Sequence, residues 1–327
     1  MRSAASPLPQ RAAAAAPRLP GTPDLRSVRD QRGESCAELV ARMRPDYRRA
    51  WLAIGGAYLW MASGVLAVAL LAAWGGGGRA LLLAPLAAVW VGLGLQALIC
   101  FMHEAAHFNL HADKRANDWL ADWLICPWVG EAIRHYRTLH WQHHLHLGGA
   151  GDTEVSYRQR LGWRFVLESL TGVQMVRVLL HRQSASERGA GGPAAGAATR
   201  LRGVALHLLV LAVLGWSGGA AVALTWGLAA GSVYPFCNAL RQLLEHRPSA
   251  DGAPLDAVNR LFGTDPLSRG FGAAGFNRHL LHHWCPSVSY TRFDDLEAYF
   301  SDTALAPELQ AARTTYRAAA RRLWTPA

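Results

Sequence analysis

Two long apolar stretches dominate the first third of the chain. Residues 51–74 (WLAIGGAYLWMASGVLAVALLAAW) and 80–102 (ALLLAPLAAVWVGLGLQALICFM) contain no charged residue, and each exceeds the about 20 residues a helix needs to cross a hydrocarbon core. They predict two transmembrane helices. A third apolar region, 203–240, is interrupted at Trp216-Ser217-Gly218-Gly219 and meets no charge before Arg241, which predicts a second helical hairpin. Between the hairpins, Asp118 to Glu131 sets Trp119, Trp123 and Trp128 among acidic residues, a pattern suited to a helix lying in the membrane interface. Residues 163–181 contain Arg164, Glu168 and Arg177 and predict another interfacial helix rather than a span. The expected fold is an all-α membrane protein with about four transmembrane helices in two hairpins, interfacial helices and a cytoplasmic histidine-rich cap. Three regions are expected: a disordered cytoplasmic tail over 1–45, a membrane domain over 46–300, and a basic C-terminal helix within 301–327, around Pro307 to Trp324. Residues 185–200, rich in Ala and Gly, are expected to form a loose loop.

Charge supplies an orientation. The net charge of +10 comes almost wholly from arginine, with Lys114 the only lysine. Ten arginines precede Trp51 and many more lie between 103 and 202, whereas the two expected hairpin turns, Gly75 to Arg79 and Trp216 to Gly219, carry only Arg79. By the positive-inside rule both termini and the central segment lie on the cytoplasmic side, as in a multi-pass protein of a bacterial cytoplasmic membrane. The arginines flank apolar runs instead of forming a stripe with aromatics between them, so nucleic acid is not an expected partner. Five cysteines, Cys36, Cys100, Cys126, Cys237 and Cys285, include no C-x-x-C pair, which argues against a disulfide framework and against a fused rubredoxin-like or zinc-ribbon module. The first 20 residues are broken by prolines and arginines and lack a signal-peptide core.

The polar segments carry the chemistry. His140, His143 and His144 stand at i, i+3, i+4, which stacks three imidazoles on one side of a helix. The same spacing returns at His279, His282 and His283, and with 14 histidines in 327 residues chance does not supply that triplet twice. His103 and His107 (HEAAH) follow the second apolar run, and His246 follows the fourth. These nine imidazoles exceed what one tetrahedral zinc can use and suit two transition-metal ions with four or five nitrogens each; spacing alone does not name the metal. His181 and His207 are expected to be solvated or structural, and His111, His135 and His146 to stand outside the ligand set. The H-E-x-x-H motif taken alone suggests a zinc metalloprotease with Glu104 as base, but leaves most of the histidines unexplained. Gly92-Leu93-Gly94-Leu95-Gln96-Ala97 matches a dinucleotide-binding fingerprint but lies inside a membrane span, where that role is discarded.

H-x-x-x-H at His103 to His107, Y-R-x-x-H-x-x-H-H at Tyr136 to His144 followed by Asp152 and Glu154, then Glu245-His246, and N-x-H-x-x-H-H at Asn277 to His283 with Pro286, together resemble the integral-membrane fatty acid desaturase and hydroxylase family. The resemblance covers roughly residues 50–300. It implies two iron ions held by His103, His107, His140, His143, His144, His246, His279, His282 and His283, with O2 as co-substrate. It implies oxidation of an unactivated C–H bond in a lipid or hydrocarbon substrate: desaturation, or hydroxylation or ketolation of a lipid or carotenoid on the same site. Asp152, Glu154, Arg241, Glu245 and Asn277 are then candidates to orient the ligands, since ligating histidines hand their second N–H to a carboxylate or carbonyl. With no haem-binding H-P-G-G segment and no cysteine cluster, electrons are expected from an external ferredoxin or cytochrome-type carrier docking on the basic face. The first box has three intervening residues, which leans away from acyl-CoA enzymes. The third opens with His279 where front-end desaturases have glutamine.

Overall fold

The chain enters through a short helix, α1 (Cys36–Arg42), begun by a capping box in which the Ser35 side chain accepts from Glu38 N and the Glu38 carboxylate accepts from Ser35 N. Two long helices follow: α2 (Tyr47–Gly75) and α3 (Gly77–Ala106), joined at Gly76, whose φ of 87° suits only glycine. This computed structural model describes residues 22–187, 196–248 and 258–325. Among them there is no β-strand, only isolated bridges. Beyond α3 come α4 (Lys114–Leu124), α5 (Ile133–His146), α6 (Trp163–Leu170), α7 (Val173–Glu187), α8 (Ala197–Leu228) and α9 (Tyr234–His246). The C-terminal part carries α10 (Pro266–Phe271), α11 (His279–Trp284), α12 (Phe293–Ser301), α13 (Ala306–Ala311) and α14 (Tyr316–Leu323).

Three helical runs are long and apolar enough to cross a membrane: α2, α3 and the run from Ala197 to His246. Their outward faces are apolar, with Leu59, Leu66, Leu82, Leu86, Leu201 and Leu208 all exposed. An apolar surface of that extent needs lipid around it. The third run is not straight. Gly219 has φ 77°, and beyond it the chain turns back, since the His207 and Trp226 rings lie only 5.9 Å apart. A continuous helix would separate these residues by roughly 28 Å. Trp74 and Trp216, 83% and 94% exposed, sit beside the Gly76 and Gly219 bends, as aromatic residues do at a membrane boundary.

The run resumes through a π-helical turn at Ala229–Val233 before Pro235, which has no N–H to continue the regular ladder. Gly92 gives that turn its space: a Cβ there would lie 2.5 Å from Val233 Cγ1, and one at Gly94 would lie 2.9 Å from Met61 Cγ. The glycines of the fingerprint-like stretch are thus contact points of α3 with its neighbours. Gly92→Val is expected to force α3 from the π-turn and cost about 1–3 kcal/mol or more, read as a lower melting temperature in detergent.

The polar elements form a cap at one end of the long helices. Trp119 and Trp123 on α4 are each 61% exposed, as an interfacial helix requires. The single helix expected over 163–181 is broken after Leu170, where Gly172 takes φ 76°, so it becomes α6 and α7. The single C-terminal helix is likewise two, α13 and α14, because Thr315 starts a fresh helix by accepting from Ala318 N. The reading of 1–45 as a disordered tail is corrected over 22–45. Val28, Cys36 and Leu39 are buried in one apolar cluster with Leu281, Leu296 and Phe300, and the Thr22 hydroxyl donates to the His283 carbonyl. Residues 1–21 lie outside the described residues. Of the expected loop over 185–200, residues 188–195 also lie outside them, and the flanks belong to α7 and α8.

Candidate metal centre

Four elements bring the nine predicted histidines to one place. α3 extends past its apolar run, so that His103 occupies its last turn and His107 caps its end. Arg137 on α5 fastens that end: its guanidinium donates to the Ala106 and Ala105 carbonyls at 2.8 and 3.0 Å and pairs with Asp118 at 2.5 Å. It thereby holds the histidines of α3 against those of α5, while satisfying carbonyls a helix end leaves free. His246 is the last residue of α9. All nine side chains are buried.

The nine divide into two groups, one of His103, His107, His140, His144 and His282 and one of His143, His246, His279 and His283. Each triplet is shared in the opposite sense. α5 sends its i, i+4 pair, His140 and His144, to the first group and His143 to the second; α11 sends His279 and His283 to the second and His282 to the first. One helical turn thus serves two centres, because the residue at i+3 leans away from the i, i+4 pair.

Ring nitrogens converge within each group. His282 Nε2 lies 2.9 Å from His103 Nε2 and 2.8 Å from His144 Nε2, which lies 3.0 Å from His140 Nε2. In the second group His279 Nε2 is 2.9 Å from His246 Nε2 and 3.1 Å from His283 Nε2. Hydrogen bonding does not account for this. An imidazole nitrogen offers either one N–H or one lone pair, so a nitrogen with two such neighbours can bond only one. The Nε2 atoms of His107 and His143 are buried and find no hydrogen-bond partner at all. A shared metal ion would account for the set, since nitrogens that bind one ion stand close together without a hydrogen bond between them.

Carboxylates orient part of the set. Asp152 Oδ1 lies 2.8 Å from His143 Nδ1, leaving His143 Nε2 to face the second group. Asp152 is itself held by Tyr157 Oη and by the Gly148 and Glu154 amides. Glu154 Oε1 stands 3.8 Å from His140 Nδ1 and 3.7 Å from Arg182. Burial drives the His107, His144, His279, His282 and His283 imidazoles well below their ordinary range, and lowers His140, so they stay neutral and ready to bind a metal. Burial acts in the same direction on His143, but Asp152 and Glu154 outweigh it and push that group up to about 9.

The other candidates differ. Arg241 Nη1 pairs with Glu245 Oε2 at 2.6 Å, and the same carboxylate oxygen stands 3.9 Å from His279 Nε2, beyond hydrogen-bond reach. Arg241 also covers the Phe276 ring at 3.6 Å, and Phe276 in turn stacks on His279. The Asn277 side chain is turned to the fold, donating to the Gly263 carbonyl. Glu104 accepts from Ser289 Oγ and Tyr290 N, contacts that hold it against the segment following α11, as a structural residue is held.

His111 and His146 are exposed, and His135 pairs with Glu131 at 2.7 Å. His207 contacts the Trp128 carbonyl. His181 comes closer than expected, its Nε2 3.1 Å from the Asp152 carbonyl oxygen. That contact is to backbone, so His181→Ala is expected to leave bound metal unchanged and to cost about 0.5–1.5 kcal/mol of stability, checked by metal analysis and thermal unfolding. Tyr157, Arg182 and Trp141, whose ring lies 5.3 Å from that of His107, complete the site without any spacing signal to announce them, and Arg137 fills the arginine position of the Y-R-x-x-H-x-x-H-H motif.

An all-helical protein with membrane-length apolar helices and two buried polyhistidine groups at their polar end defines a class of membrane metalloprotein. The model of the family described as fatty acid desaturase matches residues 79–317. The chain belongs to the fatty acid desaturase family and is an oxidoreductase. Comparison with curated proteins finds no match.

Proposed function

We propose that this protein is a non-haem di-iron enzyme that desaturates a lipid acyl or similar hydrocarbon chain with O2, using electrons from an external ferredoxin or cytochrome-type carrier. The observation that carries the reading is the division of nine histidines into groups of five and four, within a chain of this family. When bound, the two irons would supply the O2-dependent oxidation of an unactivated C–H bond. The protein's own residues do the rest. Asp152 accepts a hydrogen bond from His143 Nδ1 and fixes that ring. Ile99, Met102, Val178 and Leu179 line a cavity that reaches His103, and their apolar side chains keep water from the reacting carbon.

The membrane arrangement follows in the same reading: four crossings in two hairpins, the second reversing at Gly219, with the termini and the metal site on the cytoplasmic side of a bacterial membrane. The concentration of arginine before Trp51 and between 103 and 202 supports it. Product analysis by mass spectrometry tests the reaction. Loss of two hydrogens from the fed lipid is the expected result; gain of one oxygen would assign hydroxylation to the same site, and peptide cleavage without O2 would overturn the reading.

A further inference from the structure

The cavity beside His103 has a polar wall that a plain hydrocarbon does not need. It is bordered by α3, α7 and α9, and its lining mixes Ile99, Met102 and Val178 with Gln174, Asn238 and Gln242. Asn238 and Gln242 stand at i, i+4 on α9 and so share one face. Gln242 is 4% exposed, lines this cavity, and its Oε1 finds no partner in the protein. An amide oxygen buried in that way is costly unless something that enters the cavity completes it.

The charged groups around the same space are matched with one another: Arg241 with Glu245 at 2.6 Å, Arg182 with Glu154 at 3.7 Å, and Glu131 with His135 at 2.7 Å. Arg182 Nε and Arg241 Nε, which belong to residues of the same lining, are buried donors without a hydrogen-bond partner, so the lining can also donate to an oxygen that enters. Val129, Met175, Leu179 and Arg182 also border a neighbouring cavity against Val204 and His207 of α8, which gives a long apolar tail a way out towards the lipid-facing side.

We infer that this cavity takes a hydrocarbon bearing an uncharged hydrogen-bond donor, an alcohol or an N–H amide, close to the carbon presented to His103, with Gln242 Oε1 accepting from it as its positioning contact. The inference rests on the desaturase reading for which end of the cavity is reactive; the binding itself does not. The test is calorimetric titration of the full-length protein, as purified in detergent and without O2, with dodecan-2-ol, dodecane and sodium laurate at equal mole fraction. Dodecan-2-ol is expected to bind about tenfold or more tighter than either of the others. Q242L is expected to bring it to the level of dodecane, and Q242M, matched in length, keeps the comparison open if Q242L does not fold. Equal binding of the three probes, preference for laurate, or an alcohol preference that survives both substitutions overturns the assignment. Because no turnover occurs in this assay, a failure here is distinct from an absence of desaturated product.

Discussion

His144→Ala is expected to abolish turnover and to lower bound metal, while the protein still inserts into the membrane. His144 Nε2 is the meeting point of the first group, 2.8 Å from His282 Nε2 and 3.0 Å from His140 Nε2. Removing it takes away a ligand that no neighbour can replace and leaves a cavity in a fully buried site. Insertion depends on α2, α3 and the run from Ala197 to His246, none of which contains His144. His283→Ala is expected to do the same to the second group, through the loss of its contact with His279. Metal analysis, product formation and membrane fractionation of each variant check the three parts of the prediction. Normal turnover in either variant would show that the histidines are sorted wrongly.

The nine histidines were legible because helical spacing is a rigid ruler. The triplets at His140 and His279 and the positions of His103 and His246 after apolar runs pointed to one polar end of the fold, and the nine side chains are found together there. Their division into five and four was not legible, because it depends on how α5 and α11 are rotated against each other. The apolar runs of α2 and α3 could be read from length alone. The packing of 22–45 could not, because Val28, Cys36 and Leu39 are three isolated apolar residues whose partners lie about 250 positions later. For the same reason Tyr157 went unassigned, and Arg137, though it stands in the Y-R-x-x-H-x-x-H-H motif, gave no sign of the carbonyls it meets. Asn277 shows the reverse: a polar residue next to a ligand helix whose amide serves a loop carbonyl instead.

Asp152→Asn is expected to weaken metal binding and activity about 10–100-fold. Asp152 is nearly inaccessible to solvent and accepts from His143, Gly148 N, Glu154 N and Tyr157 Oη. An asparagine keeps the shape but turns a donor towards groups that already donate, leaving at least one buried hydrogen bond unmade at about 1–3 kcal/mol. It also removes the charge that favours protonation at His143. In the metal-free protein the pair adds stability fully below the ordinary histidine value of 6.5 and loses it as pH rises through about 9. Unfolding midpoints of the metal-free Asp152→Asn protein are therefore expected to lack the decline that the unaltered protein shows across that interval. Tyr157→Phe, which frees one carboxylate oxygen without moving charge, is expected to have a smaller effect in the same direction.

The account depends on buried imidazoles from four distant parts of the chain gripping a pair of ions. Elemental analysis of the protein purified from the membrane, set beside its specific activity, tests this most directly. The expected result is two irons per chain, one for each histidine group, with activity rising in proportion to iron content. Full activity in a preparation holding far less than two irons per chain would contradict it.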